Sequence, residues 1–107
     1  RRIVDLLSDK QAEDILLLDI RNVVLFADYF VIASGQNVRQ MRALCDVIDQ
    51  ELAKDGVSPY GREGMPESGW VLIDFGDVIV HIFGPDARSF YDLEGLWHQA
   101  VSVVRIQ

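Results

Sequence analysis

Cysteine, lysine and long apolar runs are what this sequence has least of. A single cysteine, Cys45, stands among 107 residues, so no internal disulfide can form and no multi-cysteine zinc site can be built. A reducing compartment is the simplest setting for such a chain, and the cytoplasm is the expected location, an organelle being the alternative. Apolar runs fall well short of the roughly 20 residues that a membrane-spanning helix needs. The start shows no signal-peptide pattern, since Arg1-Arg2 is followed by Asp5, Asp9 and Lys10 rather than by an apolar stretch. Positive charge is also scarce. Ten Lys+Arg face seventeen Asp+Glu, a net charge of −7 with a pI near 4.6. That balance excludes a wide phosphate-binding surface, and with it extensive direct contact with nucleic acid. It favours encounter with a basic partner. Only Lys10 and Lys54 are lysines, so the basic groups are mostly arginine forks suited to carboxylates and phosphates at defined geometry.

Nucleotide motifs are missing too. There is no G-x-x-x-x-G-K-[ST] and no G-x-G-x-x-G; Gly61, Gly64 and Gly69 have neither spacing and read as turn residues. The length is too small for a kinase, a TIM barrel or a full two-half Rossmann domain. Half the residues are apolar and a quarter are charged, the balance of one ordinary globular domain.

The patterning predicts elements in the order α-β-β-α-β-β-β-α. Ile3, Val4, Leu6 and Leu7 give residues 2–9 helical spacing. Asp14–Ile20 and Tyr29–Ser34 read as strands, and the eight residues between them are too few for a parallel crossover, so they should pair antiparallel. Asn37 is placed to cap the longest helix, with Gln40 at the capping-box position. Met41, Leu44, Cys45, Ile48 and Leu52 form its apolar stripe, and Gly56 then Pro59 mark its end. Val57–Arg62 reads as a strand parallel to the one before the helix, and Glu63–Gly69 as a loop. Trp70–Phe75 and Val78–Phe83 form a tight hairpin around Gly76. Pro85 and Asp86 suit the first turn of a helix, and Asp92 suits the cap of a last one carrying Leu93, Leu96 and Trp97. In residues 98–107 β-branched Val101, Val103, Val104 and Ile106 compete with a helical stripe, and the pattern does not choose. The expected fold is thus α/β, a mixed five-stranded sheet with helices, forming one domain over residues 1–97 with a tail at 98–107.

Both hairpin strands are apolar on both faces. Trp70 and Leu72 share one face and Val71, Ile73 and Phe75 the other; Ile79, His81 and Phe83 oppose Val78, Val80 and Ile82. Few helices are available to cover two faces, so one face is a candidate surface for a partner or a second copy.

The chemistry-bearing residues are few. Asp74-Phe75-Gly76 spells the kinase metal-binding tripeptide, but none of the accompanying kinase motifs is present, so Asp74 and Asp77 read as residues closing a hairpin. The competing reading makes them a metal-binding pair which, with Ser34-Gly35 at a strand–helix junction, would serve a nucleotide-binding or nucleotidyltransferase enzyme. His81 sits inside an apolar strand and reads as structural or as an interface contact; His98 and Cys45 complete no metal set. Cys45 lies on the buried stripe and reads as an inert thiol. Arg39 and Arg42, three apart, either hold an anion near the helix start or pair with acids such as Asp46. No cofactor, catalytic set or metal site is expected. Trp70, Tyr91 and Trp97 serve the core or an interface, where aromatics dominate binding energy.

Three ordered blocks carry a resemblance. Asp28-Tyr29-Phe30-Val31-Ile32-Ala33-Ser34-Gly35 runs into Arg39-Gln40 and Arg42-Ala43. Gly69-Trp70-Val71-Leu72-Ile73-Asp74-Phe75-Gly76-Asp77 continues through Val78-Ile79-Val80-His81-Ile82-Phe83. Arg88-Ser89-Phe90-Tyr91-Asp92 leads into Leu93-Glu94-Gly95-Leu96-Trp97. Over residues 1–97 the chain resembles the Iojap family of ribosomal silencing factors. Gln36-Asn37 departs from the Thr/Ser pair usual there, and the tail after Trp97 matches nothing specific. The resemblance implies a nucleotidyltransferase-like fold without the transferase carboxylates. It implies binding to the large ribosomal subunit through ribosomal protein fourteen, which blocks subunit joining and either silences translation or acts late in large-subunit assembly; members are often homodimers when free. Carried over by position, the partner-binding residues are Trp70, Leu72, Asp74, His81, Tyr91, Leu96 and Trp97.

Overall fold

Residues 2–21, 24–85 and 101–106 are described in the computed structural model. The first helix, α1, spans Arg2–Asp9 and buries Ile3, Val4, Leu6 and Leu7, the four residues of its apolar spacing. Strand β1 (Glu13–Asp19) pairs antiparallel with β2 (Tyr29–Ser34), as the short connection requires.

Helix α2 spans Val38–Lys54 and starts where its cap predicts: the Asn37 side chain accepts from the Gln40 amide at 2.8 Å. The reciprocal half of the capping box is displaced by one residue, for Oε1 of Gln40 accepts from the amide of Gln36 rather than of Asn37. The helix ends in a Schellman arrangement. The Gly56 amide donates to the Ala53 carbonyl and the Val57 amide to the Leu52 carbonyl, with Gly56 at φ +79°.

Strand β3 is Gly61–Met65, later than the 57–62 expected; residues assigned to the following loop, Glu63–Met65, belong to it. The Schellman turn and Pro59 hold 57–60 out of the sheet, and the ladder begins only where Gly61 meets Asp74. A 3₁₀ turn, Pro66–Ser68, leads into β4 (Trp70–Asp74), and a tight turn at Gly76 leads into β5 (Val78–Phe83). The backbone of Val101–Ile106 forms a sixth strand, β6, antiparallel to the free edge of β1. The five expected strands are therefore present and the tail adds one more. The helices expected from Pro85 and from Asp92 lie outside the described residues.

The strand order is β3-β4-β5-β2-β1-β6. The parallel neighbours are β2 and β5, with Tyr29 opposite Val78 and Ser34 opposite Phe83. The strand after α2 runs in the same direction as β2, as expected, but β4 and β5 stand between them. The apolar β5 is the natural neighbour of the buried β2, with the apolar β4 beside it, and the polar β3 is left at the edge.

One face of the sheet carries Leu17, Val31, Val71, Ile73, Val80 and Ile82 against Leu7 of α1 and the Met41–Leu52 stripe of α2. Ion pairs join its periphery: Arg2 meets Asp55 at 2.8 Å, tying the start of α1 to the end of α2, and Arg62 of β3 meets Asp49 of α2. The opposite face gathers Leu16, Leu18, Phe30, Ile32, Ile79 and Phe83, with Trp70 and Leu72 partly buried beside them.

Candidate partner-binding face

Register places the predicted residues. Because directly paired residues share a face, the ladder reads across the sheet as Glu63–Leu72–His81–Ile32–Leu16. The next row toward one end is Met65–Trp70–Phe83–Ser34, and toward the other Gly61–Asp74–Ile79–Phe30. Trp70, Leu72, Asp74 and His81 therefore lie on one face, the one opposite α1 and α2. Tyr91, Leu96 and Trp97 lie outside the described residues.

Depth separates the four. Trp70, Leu72 and Asp74 are half-buried on β4, one strand in from the edge. His81, on the more central β5, is 4% exposed. It therefore sits deeper than Trp70 and Leu72 on the same face. Its Nδ1 accepts the indole N–H of Trp70 at 3.1 Å. Its ring meets Phe30 edge-on at a centroid distance of 5.0 Å, and the Trp70 ring stacks on Phe83 at 5.1 Å. Burial pushes the His81 pKa down to about 4, so the ring is neutral at pH 7. With Nδ1 accepting, the proton sits on Nε2, which is buried without a hydrogen-bond partner among the described residues.

Asp74 closes the hairpin, its Oδ1 accepting from the Gly76 amide at 2.7 Å. Asp77 contributes its backbone carbonyl, which accepts from the amides of Asp28 and Tyr29. These two carboxylates lie at the β2/β5 end that begins with Tyr29 and Val78, whereas Ser34-Gly35 lies at the other end. Five strand residues separate the ends, about 17 Å. The constellation invoked for a nucleotide enzyme is therefore divided by the length of the sheet. Among the described residues no three His, Cys, Asp or Glu side chains gather to hold a metal.

The remaining candidates resolve simply. Cys45 is buried in the α2 stripe, and burial pushes its thiol up to about 11, as an inert thiol requires. Arg42 pairs with Glu67 of the 3₁₀ turn instead of the Asp46 considered from sequence. Among the described residues no helix is long and apolar enough to cross a membrane.

Sequence reasoning missed Glu63 and Gly64, which it assigned to a loop. With Ser68, Trp70 and Leu72 they line a cleft of about 240 Å³ at the β3/β4 edge. Gly64 has φ +77°, and a Cβ there would stand 2.2 Å from the Trp70 carbonyl oxygen. The Ser68 hydroxyl donates to the Met65 carbonyl at 2.7 Å and fixes the turn beneath Trp70. A glycine before a short polar segment is the trace this leaves in the sequence.

Comparison with known proteins agrees with this architecture. The family model described as "Ribosomal silencing factor during starvation" (RsfS) matches residues 1–107. The ribosomal silencing factor RsfS of Bacillus subtilis is 46% identical over 93 residues, covering 87% of this chain and 79% of that one. A mouse protein named mitochondrial assembly of ribosomal large subunit protein 1 is 33% identical over 98 residues, covering 89% of this chain and 43% of its own length. A crystal structure of a Chromobacterium violaceum protein matches with a TM-score of 0.85 and 35% identity, over 90% of this chain and 80% of that one.

Proposed function

The chain belongs to the RsfS family of ribosomal silencing factors, and from that premise we propose that it is a non-enzymatic binder of the large ribosomal subunit. It docks through ribosomal protein fourteen and sterically blocks association with the small subunit, which represses translation. The observation that carries this reading is the half-buried row Trp70, Leu72 and Asp74 on the face opposite α1 and α2. Trp70 and Leu72 supply desolvated anchors of the kind that dominate interface energy. Asp74 adds a polar contact at the rim, and His81 holds the indole from below. Tyr91, Leu96 and Trp97 extend the same proposed patch on the ground of their sequence positions. The net charge of −7 suits a basic ribosomal partner, and the name of the mouse relative also points to the large subunit.

The test is light scattering of purified large and small subunits mixed with increasing amounts of the protein. Joining is expected to fall with dose. Trp70→Ala and Leu72→Ala, shown folded by circular dichroism, are expected to relieve the block and to lose large-subunit binding. Unchanged joining with the protein bound to the large subunit overturns the blocking step. Wild-type binding by both variants overturns the face. For the nucleotide reading, calorimetry with each nucleoside triphosphate and Mg²⁺ is expected to show no heat at millimolar ligand.

A further inference from the structure

The cleft beside Trp70 is chemically asymmetric. One wall is apolar, formed by the Trp70 ring and Leu72. The other carries Glu63, directly opposite Leu72 in the ladder, with its side chain on the same face. Neighbouring charges are engaged: Arg62 pairs with Asp49 and Glu67 with Arg42. Glu63 makes no ion pair or side-chain hydrogen bond with the other described residues. Gly64 also lines the cleft, and its lack of a side chain lets the two backbones approach, since a Cβ there would collide with the Trp70 carbonyl. A volume of about 240 Å³ admits a long side chain and not only solvent.

An aromatic face, an aliphatic contact and a carboxylate unengaged among the described residues, around one cleft, form a receptor for a basic side chain. The stem packs on Leu72 and the charged head lies over the indole while bonding the carboxylate. We propose that this cleft receives one arginine or lysine side chain of the protein that docks on the Trp70 face, with Glu63 as the residue that selects for positive charge. The assignment rests on the docking reading above and adds the chemistry of its anchor. It also gives the acidic net charge a specific point of contact, which a general field does not.

The test measures binding of the full chain to purified large subunits at two salt concentrations. Glu63→Gln is expected to weaken binding about three- to tenfold at low salt, with the gap to wild type narrowing at high salt. Glu63→Lys is expected to weaken it more, and Glu67→Gln to leave it unchanged. Each basic residue of the docked protein is then replaced by Glu; one of these is expected to restore binding to Glu63→Lys. Wild-type affinity in both Glu63 variants, while Trp70→Ala loses binding, overturns the cleft and leaves the docking face standing. Wild-type affinity in Trp70→Ala and in both Glu63 variants overturns the two together. Weakening by Glu63→Lys that no partner substitution restores also overturns the cleft.

Discussion

The indole N–H of Trp70 donates to Nδ1 of His81 across β4 and β5, at 3.1 Å. The two are diagonal neighbours, since Trp70 pairs directly with Phe83 and Leu72 with His81. This bond joins the half-buried edge of the proposed docking face to its fully buried centre. It fixes which way the indole lies and which tautomer the imidazole adopts. A buried residue thereby sets the orientation of one at the edge of the proposed docking face.

Acid should weaken the fold through the same histidine. Its pKa is about 4 in the folded state, pushed down by burial, and near 6.5 when unfolded. The unfolded chain thus binds a proton that the folded chain refuses. Stability is whole above about pH 6.5 and is lost as pH falls toward 4, at up to about 1.4 kcal/mol per pH unit. Between pH 7 and pH 5 the loss comes to about 2 kcal/mol. Urea unfolding of wild type and His81→Phe at both pH values reads this difference. Parallel pH slopes would show that His81 does not titrate in this way.

Two glycines with nearly the same backbone angle should respond differently to alanine. Gly56 has φ +79° with open space around it, and Gly64 has φ +77° with the Trp70 carbonyl in the path of a Cβ. Gly56→Ala meets only the left-handed penalty, about 1 kcal/mol. Gly64→Ala adds a backbone collision and is expected to cost about 3 kcal/mol or more, or to shift β3 off β4. Thermal unfolding of the two variants side by side separates conformational strain from steric overlap.

Cys45 should be silent toward thiol reagents in the native protein. It is 3% exposed, and burial raises its thiol to about 11, so both access and thiolate are lacking at pH 8. A chromogenic disulfide reagent is expected to react fully in denaturant and negligibly within minutes without it. Rapid native reaction would place the α2 stripe in contact with solvent.

Legibility from sequence followed the locality of each signal. The limits of β2 and β5 and the Asn37 cap depend on neighbours along the chain, and they appear where the residues predict. β3 has every residue exposed and therefore no alternation to read; its position is set by pairing with β4. β6 forms where the outer edge of β1 offers it a ladder, a choice that the β-branched residues of 98–107 favour and the competing helical stripe there obscures. That Trp70 and Leu72 share a face follows from the period of two, so it was readable; that His81 joins them depends on the register of the hairpin and was not. Their depths were not, because depth depends on which strand is central and which is near the edge.

The Trp70–His81 bond should be measurable as a coupling. Trp70→Phe keeps a ring for stacking on Phe83 and removes only the N–H donor, which leaves a second nitrogen of the buried imidazole without a partner among the described residues. Its cost is expected to be about 1–3 kcal/mol, the range for stranding a buried polar group. His81→Phe removes the acceptor and the orphaned Nε2–H together, so its own cost should be smaller than that of an ordinary core substitution. In the double variant the stranded nitrogens are gone, and the two effects should fall short of their sum by about 0.5–1.5 kcal/mol. Strict additivity in urea unfolding would show that the bond contributes nothing. Large-subunit binding on the same variants then separates its two roles. If orientation of the indole is what matters, His81→Phe weakens binding even where its stability equals that of wild type.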